Sequence, residues 1–114
     1  MNKREKVINI LNNFTRECVI IFGEKLNDVR LYGSYARGDF DNESDVDVML
    51  ILDMDEIETM KWYKDVCTVS SMLGREHKIF LSPILQGKTE YDLRKNTTGI
   101  WYAAEHEGVS LYAG

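Results

Sequence analysis

The chain has 114 residues, a net charge of −5 and an apolar content of 44%, values typical of a small globular domain. The acidic balance argues against non-specific binding of nucleic acid, which requires a basic face. No apolar run approaches the ~20 residues of a membrane span, and the first residues lack the pattern of a signal peptide. We therefore expect a single cytoplasmic domain over residues 1–114 that does not bind a membrane.

The N-terminal part of the chain predicts a helix followed by a strand. Apolar residues recur at three- and four-residue spacing from Val7 to Ile21, which predicts an amphipathic helix over about residues 3–23 that ends at Gly23. Residues 29–32 are typical of a short strand, and this strand ends abruptly at Gly33.

The turn after this strand, Gly33-Ser34, could hold a phosphate. Glycine lets the backbone turn sharply and approach a ligand without a Cβ in the way. If a helix starts at Ser34 or Tyr35, its free N–H groups face the turn, and a phosphate is the natural occupant of such a place. The hydroxyl of Ser34 adds a donor.

A second strand follows, and it carries two acidic residues. Asp45-Val46-Asp47-Val48 alternates polar and apolar residues, and the next four residues are all apolar, as in a strand that enters a buried sheet. Alternation places Asp45 and Asp47 on one face, with Cα atoms roughly 6.5–7 Å apart. Such carboxylates can converge on Mg²⁺, which binds one or two carboxylates together with substrate phosphates. Either feature alone is usually plain surface, but the conjunction of turn and acidic pair favours a functional site.

The remaining elements complete an α/β (α+β) fold. Asp53, with Glu56 three residues later, predicts the start of a second helix that stops near Gly74. Residues 78–85 are typical of a strand, and Pro83 places that strand at an edge or near its end. Two short helices are expected to begin near Thr89 and near Thr97 or Thr98, with Gly108 ending the latter. This order predicts a small mixed β-sheet flanked by helices.

The segment from Gly33 to Leu52 resembles the signature of the DNA polymerase beta-like nucleotidyltransferases: Gly-Ser, then Arg-Gly, then Ser-Asp-x-Asp. Its length and the position of the motif make the chain most similar to the minimal nucleotidyltransferases of that superfamily. The resemblance implies a palm-like fold and transfer of a nucleoside monophosphate from a nucleoside triphosphate to a hydroxyl of a protein or small molecule. It also implies that Asp45 and Asp47 bind Mg²⁺, or Mn²⁺ in its place, while Gly33, Ser34 and Arg37 hold the phosphates.

One position departs from the family pattern. The family places a third carboxylate on the strand after the second helix, but residues 78–85 contain no Asp or Glu. Lys78, Phe80 or Ser82 occupies that position, depending on register, and Glu76 is the nearest acidic candidate for a third ligand. A chain without the third acid could bind a magnesium nucleotide while turning over poorly or not at all.

A second interpretation is a catalytically weakened, antitoxin-like module that docks on a helical HEPN-type protein, or on a second copy of the chain. Tyr91, Trp101, Tyr102 and Tyr112 could then be interface anchors, although core packing explains each equally well. Four other residues are expected to have structural roles. Cys18 and Cys67 are predicted to be small buried residues, and His77 and His106 to be isolated surface or hydrogen-bonded side chains.

Overall fold

Helices and strands alternate as far as Lys88–Arg94, where two helices follow one another, along residues 1–113, which are the residues that this computed structural model describes. Gly114, the last residue of the predicted domain, lies outside them. The elements are α1 (Lys3–Phe22), β1 (Leu26–Tyr32), α2 (Ser34–Arg37), β2 (Val46–Leu52), α3 (Glu56–His77), β3 (Leu81–Gly87), α4 (Lys88–Arg94), α5 (Gly99–His106) and β4 (Val109–Ala113). Among residues 1–113, none of the helices is long and apolar enough to cross a membrane.

The four strands form one mixed sheet in the order β3-β2-β1-β4. β1 pairs antiparallel with both β2 and β4, whereas β2 and β3 run parallel. The predicted small mixed sheet flanked by helices is confirmed. The strand β4 was not predicted, because no secondary structure was assigned to the residues after Gly108.

Both faces of the sheet are covered, which explains the continuous apolar run in β2. Val46, Val48 and Leu50 are fully buried on the face covered by α1 and α3. Met49 and Ile51 are buried on the other face, where they join Tyr91 of α4 and Ala104 of α5 in a second cluster. The central strand therefore needs apolar side chains on both sides, as its sequence shows.

The start of α3 differs from the prediction. Asp55, not Asp53, caps this helix, and its side chain accepts a hydrogen bond from the N–H of Glu58 at 2.8 Å. Asp53 instead follows β2 directly, and its N–H donates to the carbonyl of Lys25, the residue before β1, at 2.8 Å. Two acidic residues separated by one position make this boundary ambiguous in the sequence.

The end of α3 also differs, since the helix continues through Gly74 to His77. Lys78 ends it in a left-handed conformation with φ 57°, and the N–H of Ile79 donates to the carbonyl of Gly74 at 3.0 Å. A Cβ at Gly74 would lie 2.8 Å from the carbonyl oxygen of Ile79. Gly74 therefore permits the close turn after the helix rather than ending the helix itself.

The other predicted bounds are close to those observed. The predicted first helix is confirmed, and Asn2 and Glu5 cap it reciprocally. β1 begins at Leu26, three residues before the predicted start, and β3 is Leu81–Gly87 rather than 78–85. Pro83 lies in an edge strand as expected, and the parallel register that pairs it with Val48 directs its nitrogen away from β2. In the C-terminal part, α4 begins at Lys88, and α5 ends at His106, two residues before Gly108.

Candidate functional site

The turn after β1 combines a glycine-only backbone conformation with a single helical turn. Gly33 has φ 77° and ψ −154°, a backbone conformation that is essentially restricted to glycine. The helix α2 starts at Ser34 but spans only Ser34–Arg37, and the N–H groups of Ala36 and Arg37 both donate to the carbonyl of Gly33 at 3.1 Å. The donors left for a ligand at this turn are the Ser34 hydroxyl and the first N–H groups of α2, with no long helix dipole behind them.

Gly33 packs directly against Asp47. The β1–β2 register pairs Tyr32 with Asp47, which brings the Asp47 side chain to the start of the turn. A Cβ at Gly33 would lie 3.2 Å from Cγ of Asp47 and would overlap its Oδ2. The turn and the acidic pair are therefore one contiguous site, and only glycine fits between them.

The charges at this site favour a bound cation. Burial and the neighbouring Asp45 raise the pKa of Asp47 above its ordinary value, and Arg37 only partly opposes this effect. Burial and the charge of Asp47 also raise the pKa of Tyr32 to about 12. Arg37 is itself engaged by Asp39 at 3.2 Å and by Glu107 at 3.9 Å. Negative charge at Asp45 and Asp47 is consequently left partly uncompensated.

A cavity of about 500 Å³ joins all five residues that sequence reasoning selected for the turn and the acidic pair. Its walls also include side chains of β1, the loop before β2, and α5. The full lining is Tyr32, Gly33, Ser34, Arg37, Ser44, Asp45, Asp47, Gly99, Ile100 and Ala103.

Glu76, the acidic candidate for a third ligand, is not brought to this cavity. It lies in the last turn of α3, where its side chain is 69% exposed and stands 3.9 Å from His77. Within residues 1–113, no cluster of three or more His, Cys, Asp or Glu side chains is placed to hold a metal ion. Among the described residues, the carboxylates that line this cavity are those of Asp45 and Asp47.

The sheet register identifies the residue at the third position. β3 runs parallel to β2 with Ser82 paired to Asp47, so the two side chains share a face. Phe80, two residues earlier on the same face, is 68% exposed. Of the three residues that the sequence left open, Ser82 is therefore the direct neighbour of the acidic pair.

Sequence reasoning missed the contribution of α5 to the site. Gly99, Ile100 and Ala103 on this helix close one side of the cavity. Arg30 holds the helix in place, because its guanidinium donates to the carbonyl of Ala104 at 2.7 Å and pairs with Asp28 at 3.0 Å. In the sequence, only Arg30 between the apolar residues of β1 hinted at this contact. An arginine in a strand does not by itself predict a bond to Ala104, 74 residues later in the chain.

Two of the four C-terminal aromatic residues have clear structural partners. Tyr91 is buried, and its hydroxyl donates to Glu105 at 2.8 Å. Burial and this hydrogen bond raise the pKa of Tyr91. The indole N–H of Trp101 donates to Gln86 at 2.9 Å. Tyr102 is 44% exposed and stacks on His106, so it remains available at the surface.

The two cysteines have different environments. Cys18 is fully buried, and burial together with Glu17 raises the pKa of its thiol to about 12. Cys67 is only half-buried, so the prediction of a buried residue is wrong for this one. Its position on the outer part of α3 leaves it near solvent.

The nucleotidyltransferase domain family has a sequence model that matches residues 11–98. Two relatives from Methanocaldococcus jannaschii carry the name "Putative protein adenylyltransferase". One is 38% identical over 84 residues, covering 74% of this chain and 83% of the relative. The other is 36% identical over 94 residues, covering 79% of this chain and 62% of the relative.

Solved structures share the fold at low sequence identity. A crystal structure from Sulfolobus solfataricus, described as a putative nucleotidyltransferase, has a TM-score of 0.59 at 18% identity and covers 96% of this chain and 83% of that chain. A toxin–antitoxin complex with AMP-PNP has a TM-score of 0.55 at 18% identity and covers 90% of this chain and 73% of that chain.

Proposed function

This chain belongs to the nucleotidyltransferase domain family, and we propose that it transfers a nucleoside monophosphate from a nucleoside triphosphate to a protein hydroxyl. The observation that carries the proposal is the contact between Gly33 and Asp47, which joins a phosphate-binding turn to an acidic pair in one cavity. The names of the Methanocaldococcus relatives support an adenylyl group as the transferred part and a protein as the acceptor.

The donor set fits Mg²⁺, or Mn²⁺ in its place. Asp45 and Asp47 offer two carboxylates, and their mutual repulsion, together with burial, raises the pKa of Asp47. A divalent cation relieves such repulsion, and Mg²⁺ commonly binds one or two carboxylates and completes its shell with phosphate oxygens and water. When bound by Asp45 and Asp47, the cation would neutralise charge on the triphosphate.

The remaining residues orient the triphosphate. The turn at Gly33 and the hydroxyl of Ser34 would bind the β- and γ-phosphates, and Arg37 would add positive charge beside them. The acceptor oxygen then forms a bond to the α-phosphorus, the bond from that phosphorus to the bridging oxygen breaks, and pyrophosphate leaves. Because Ser82 replaces a carboxylate beside Asp47, the acceptor proton passes to water. A positioned general base typically contributes about 10²–10⁴-fold, so we expect slow turnover.

The test is label transfer from each of the four α-labelled nucleoside triphosphates, with Mg²⁺ or Mn²⁺, to the chain itself or to added proteins. We expect transfer from ATP that is lost in the Asp45→Asn/Asp47→Asn variant. The matched control is Asp53→Asn/Asp65→Asn, which removes the same charge at two exposed positions outside the cavity. Transfer that survives loss of Asp45 and Asp47 would refute the assignment.

Ser82 and the fold neighbours favour a second candidate, an antitoxin-like nucleotide-binding module that docks on a toxin partner. The resemblance implies a helical HEPN-type partner, with a homodimer as the other arrangement, and two structural neighbours are toxin–antitoxin complexes. Under this candidate, AMP-PNP binds in an Asp47-dependent manner, but no label is transferred with any acceptor. Binding and transfer assays on the same variants separate the two functions.

A further inference from the structure

We call the cavity of about 500 Å³ around Gly33, Asp45 and Asp47 the triphosphate cavity. A second cavity shares Ser44 and Asp45 with it. It has a volume of about 450 Å³, and Lys3, Arg75, Lys78 and the exposed Phe80 line it. It continues into a cavity of about 510 Å³ that has Lys3, Lys78 and Ile79 in common with it and adds Lys6. We call these two joined cavities the basic groove. The groove leads from Asp45 across the first turn of α1 and the last turn of α3.

Local backbone geometry builds the groove. Gly74 admits the carbonyl of Ile79 so closely that the chain reverses direction immediately after α3. The left-handed Lys78 then starts the segment toward β3 and leaves Phe80 68% exposed. Phe80 therefore stands in solvent beside Lys3, Arg75 and Lys78, in the same cavity as the candidate catalytic carboxylate of Asp45.

The charges of the groove are unbalanced. The chain carries a net charge of −5, yet Lys3, Lys6, Arg75 and Lys78 have no carboxylate within 4.0 Å anywhere in residues 1–113. The acidic residues in its walls, Glu43 and Asp45, both lie at the end next to the triphosphate cavity. The far end of the groove is therefore positive and suits an anionic ligand.

We propose that the basic groove binds an acidic peptide segment of the acceptor protein and so presents a nearby hydroxyl to the nucleotide at Asp45. This inference rests on the proposed function and specifies its acceptor. Phe80 is the single exposed aromatic residue in the described walls, which gives no series of surfaces for stacking successive bases.

The lining between the cations also fits a peptide. Val7, Ile10 and Ile79 provide an apolar floor. Met1 engages the side-chain nitrogen of Asn9 and Arg16 the side-chain oxygen of Asn13, so the Asn9 oxygen can accept from a peptide backbone and the Asn13 nitrogen can donate to it. β3 leads from Phe80 to Ser82, the neighbour of Asp47, so a peptide bound against Phe80 lies beside the acidic pair.

The first experiment measures binding without nucleotide. The probe is a fluorescein-labelled peptide with a central tyrosine between two runs of three glutamates. Its binding is measured by fluorescence anisotropy at low and at physiological salt. We expect salt-sensitive binding that weakens at least tenfold in Arg75→Glu/Lys78→Glu and in Lys3→Gln/Lys6→Gln. The control Lys61→Glu/Lys64→Glu changes the same charge on exposed positions of α3 outside the groove and should bind like the unaltered chain.

Two outcomes would overturn the proposal. Equal affinity in the groove variants and the Lys61/Lys64 control would show that the groove does not bind the peptide. Tighter, Lys78-dependent binding of an oligothymidylate probe than of the peptide would assign the groove to nucleic acid. Thermal unfolding of each variant checks that a loss of affinity is not a loss of folding.

The second experiment separates this proposal from the proposed function. Asp47→Asn, a change outside the walls of the groove, should lose label transfer to the peptide and keep peptide binding. Peptide binding without transfer in any variant would retain the groove and reject the transferase function. Label transfer with an unchanged KM for the acceptor in Arg75→Glu/Lys78→Glu would retain the proposed transferase function and reject the groove as the acceptor site. If the groove binds the acceptor, the charge-conserving Arg75→Lys/Lys78→Arg variant should have the acceptor KM of the unaltered chain.

Discussion

Replacing Gly33 with alanine tests whether the turn and the acidic pair act as one site. The backbone at Gly33, with φ 77° and ψ −154°, costs a residue with a Cβ about 1–3 kcal/mol. That cost corresponds to a fall in Tm of about 4–12 °C. A second effect is local: the new Cβ would lie 3.2 Å from Cγ of Asp47 and overlap Oδ2, so the carboxylate must move.

The expected loss of nucleotide affinity follows from that movement. Loss of one bond to a charged group costs about 1.5–3 kcal/mol, and about 1.4 kcal/mol is tenfold in affinity. We therefore expect Gly33→Ala to weaken binding of Mg²⁺·AMP-PNP by about 10–10²-fold. Isothermal titration calorimetry measures the affinity. The matched control is Gly38→Ala, since Gly38 also has positive φ, at 90°, but a Cβ there meets nothing within 4 Å. It should lower Tm by about 4 °C, equivalent to about 1 kcal/mol, and leave affinity unchanged.

A double-mutant cycle isolates the overlap between the two residues. In an Asp47→Ala background the obstructing carboxylate is gone, so Gly33→Ala should destabilise only through its backbone conformation. If Gly33→Ala and Gly38→Ala bind the nucleotide equally well, or if the cycle shows no coupling, Gly33 does not position Asp47 and the reasoning is refuted.

Four further outcomes are expected. Burial and Asp45 raise the pKa of Asp47 above its ordinary 3.8, so the folded protein without nucleotide loses stability as the pH rises through that raised pKa. Asp47→Asn should abolish this loss and raise Tm at pH 7. An unchanged Tm would contradict the raised pKa. Ser82→Asp places an acid beside Asp47 and should increase label transfer by about 10²-fold or more, compared with Thr68→Asp on exposed α3 as control. Native alkylation should modify Cys67 and spare Cys18, whose pKa is about 12, until denaturant is added, as peptide mass mapping would show. Arg30→Met should destabilise the fold by about 2 kcal/mol through lost bonds to α5, measured by urea unfolding, with Arg16→Met as an exposed control.

Local patterns predicted most of the elements because each depends on neighbours in the sequence. The three- and four-residue spacing of Val7 and its partners specifies α1, and the alternation at Asp45 and Asp47 places both carboxylates on one face. The fold class and the family followed from the same segments. Boundaries were less certain where two residues offered the same signal, as Asp53 and Asp55 did for the cap of α3.

Long-range contacts account for what the sequence could not predict. Packing of Gly33 against Asp47 depends on the register that pairs Tyr32 with Asp47 across β1 and β2. The contribution of α5 depends on the bond from Arg30 to Ala104, 74 residues apart in the chain. β4 carries a short alternation that is weak by itself and becomes a strand only because β1 offers an unpaired edge.

The same register also defines the chemical problem that the site presents. Because Ser82 pairs with Asp47, the position where a third acid would act is occupied by a hydroxyl that neither neutralises a cation nor accepts a proton at neutral pH. Nucleotide binding as proposed uses only the turn and the two carboxylates, so binding should tolerate the serine at this position, whereas transfer should be slow. An acceptor held in the basic groove would offset part of the rate lost with the third acid, because positioning a reactant raises its effective concentration without any added base. The proposed transferase would thus depend on holding its acceptor, which relates the serine beside Asp47 to the cations beside Asp45.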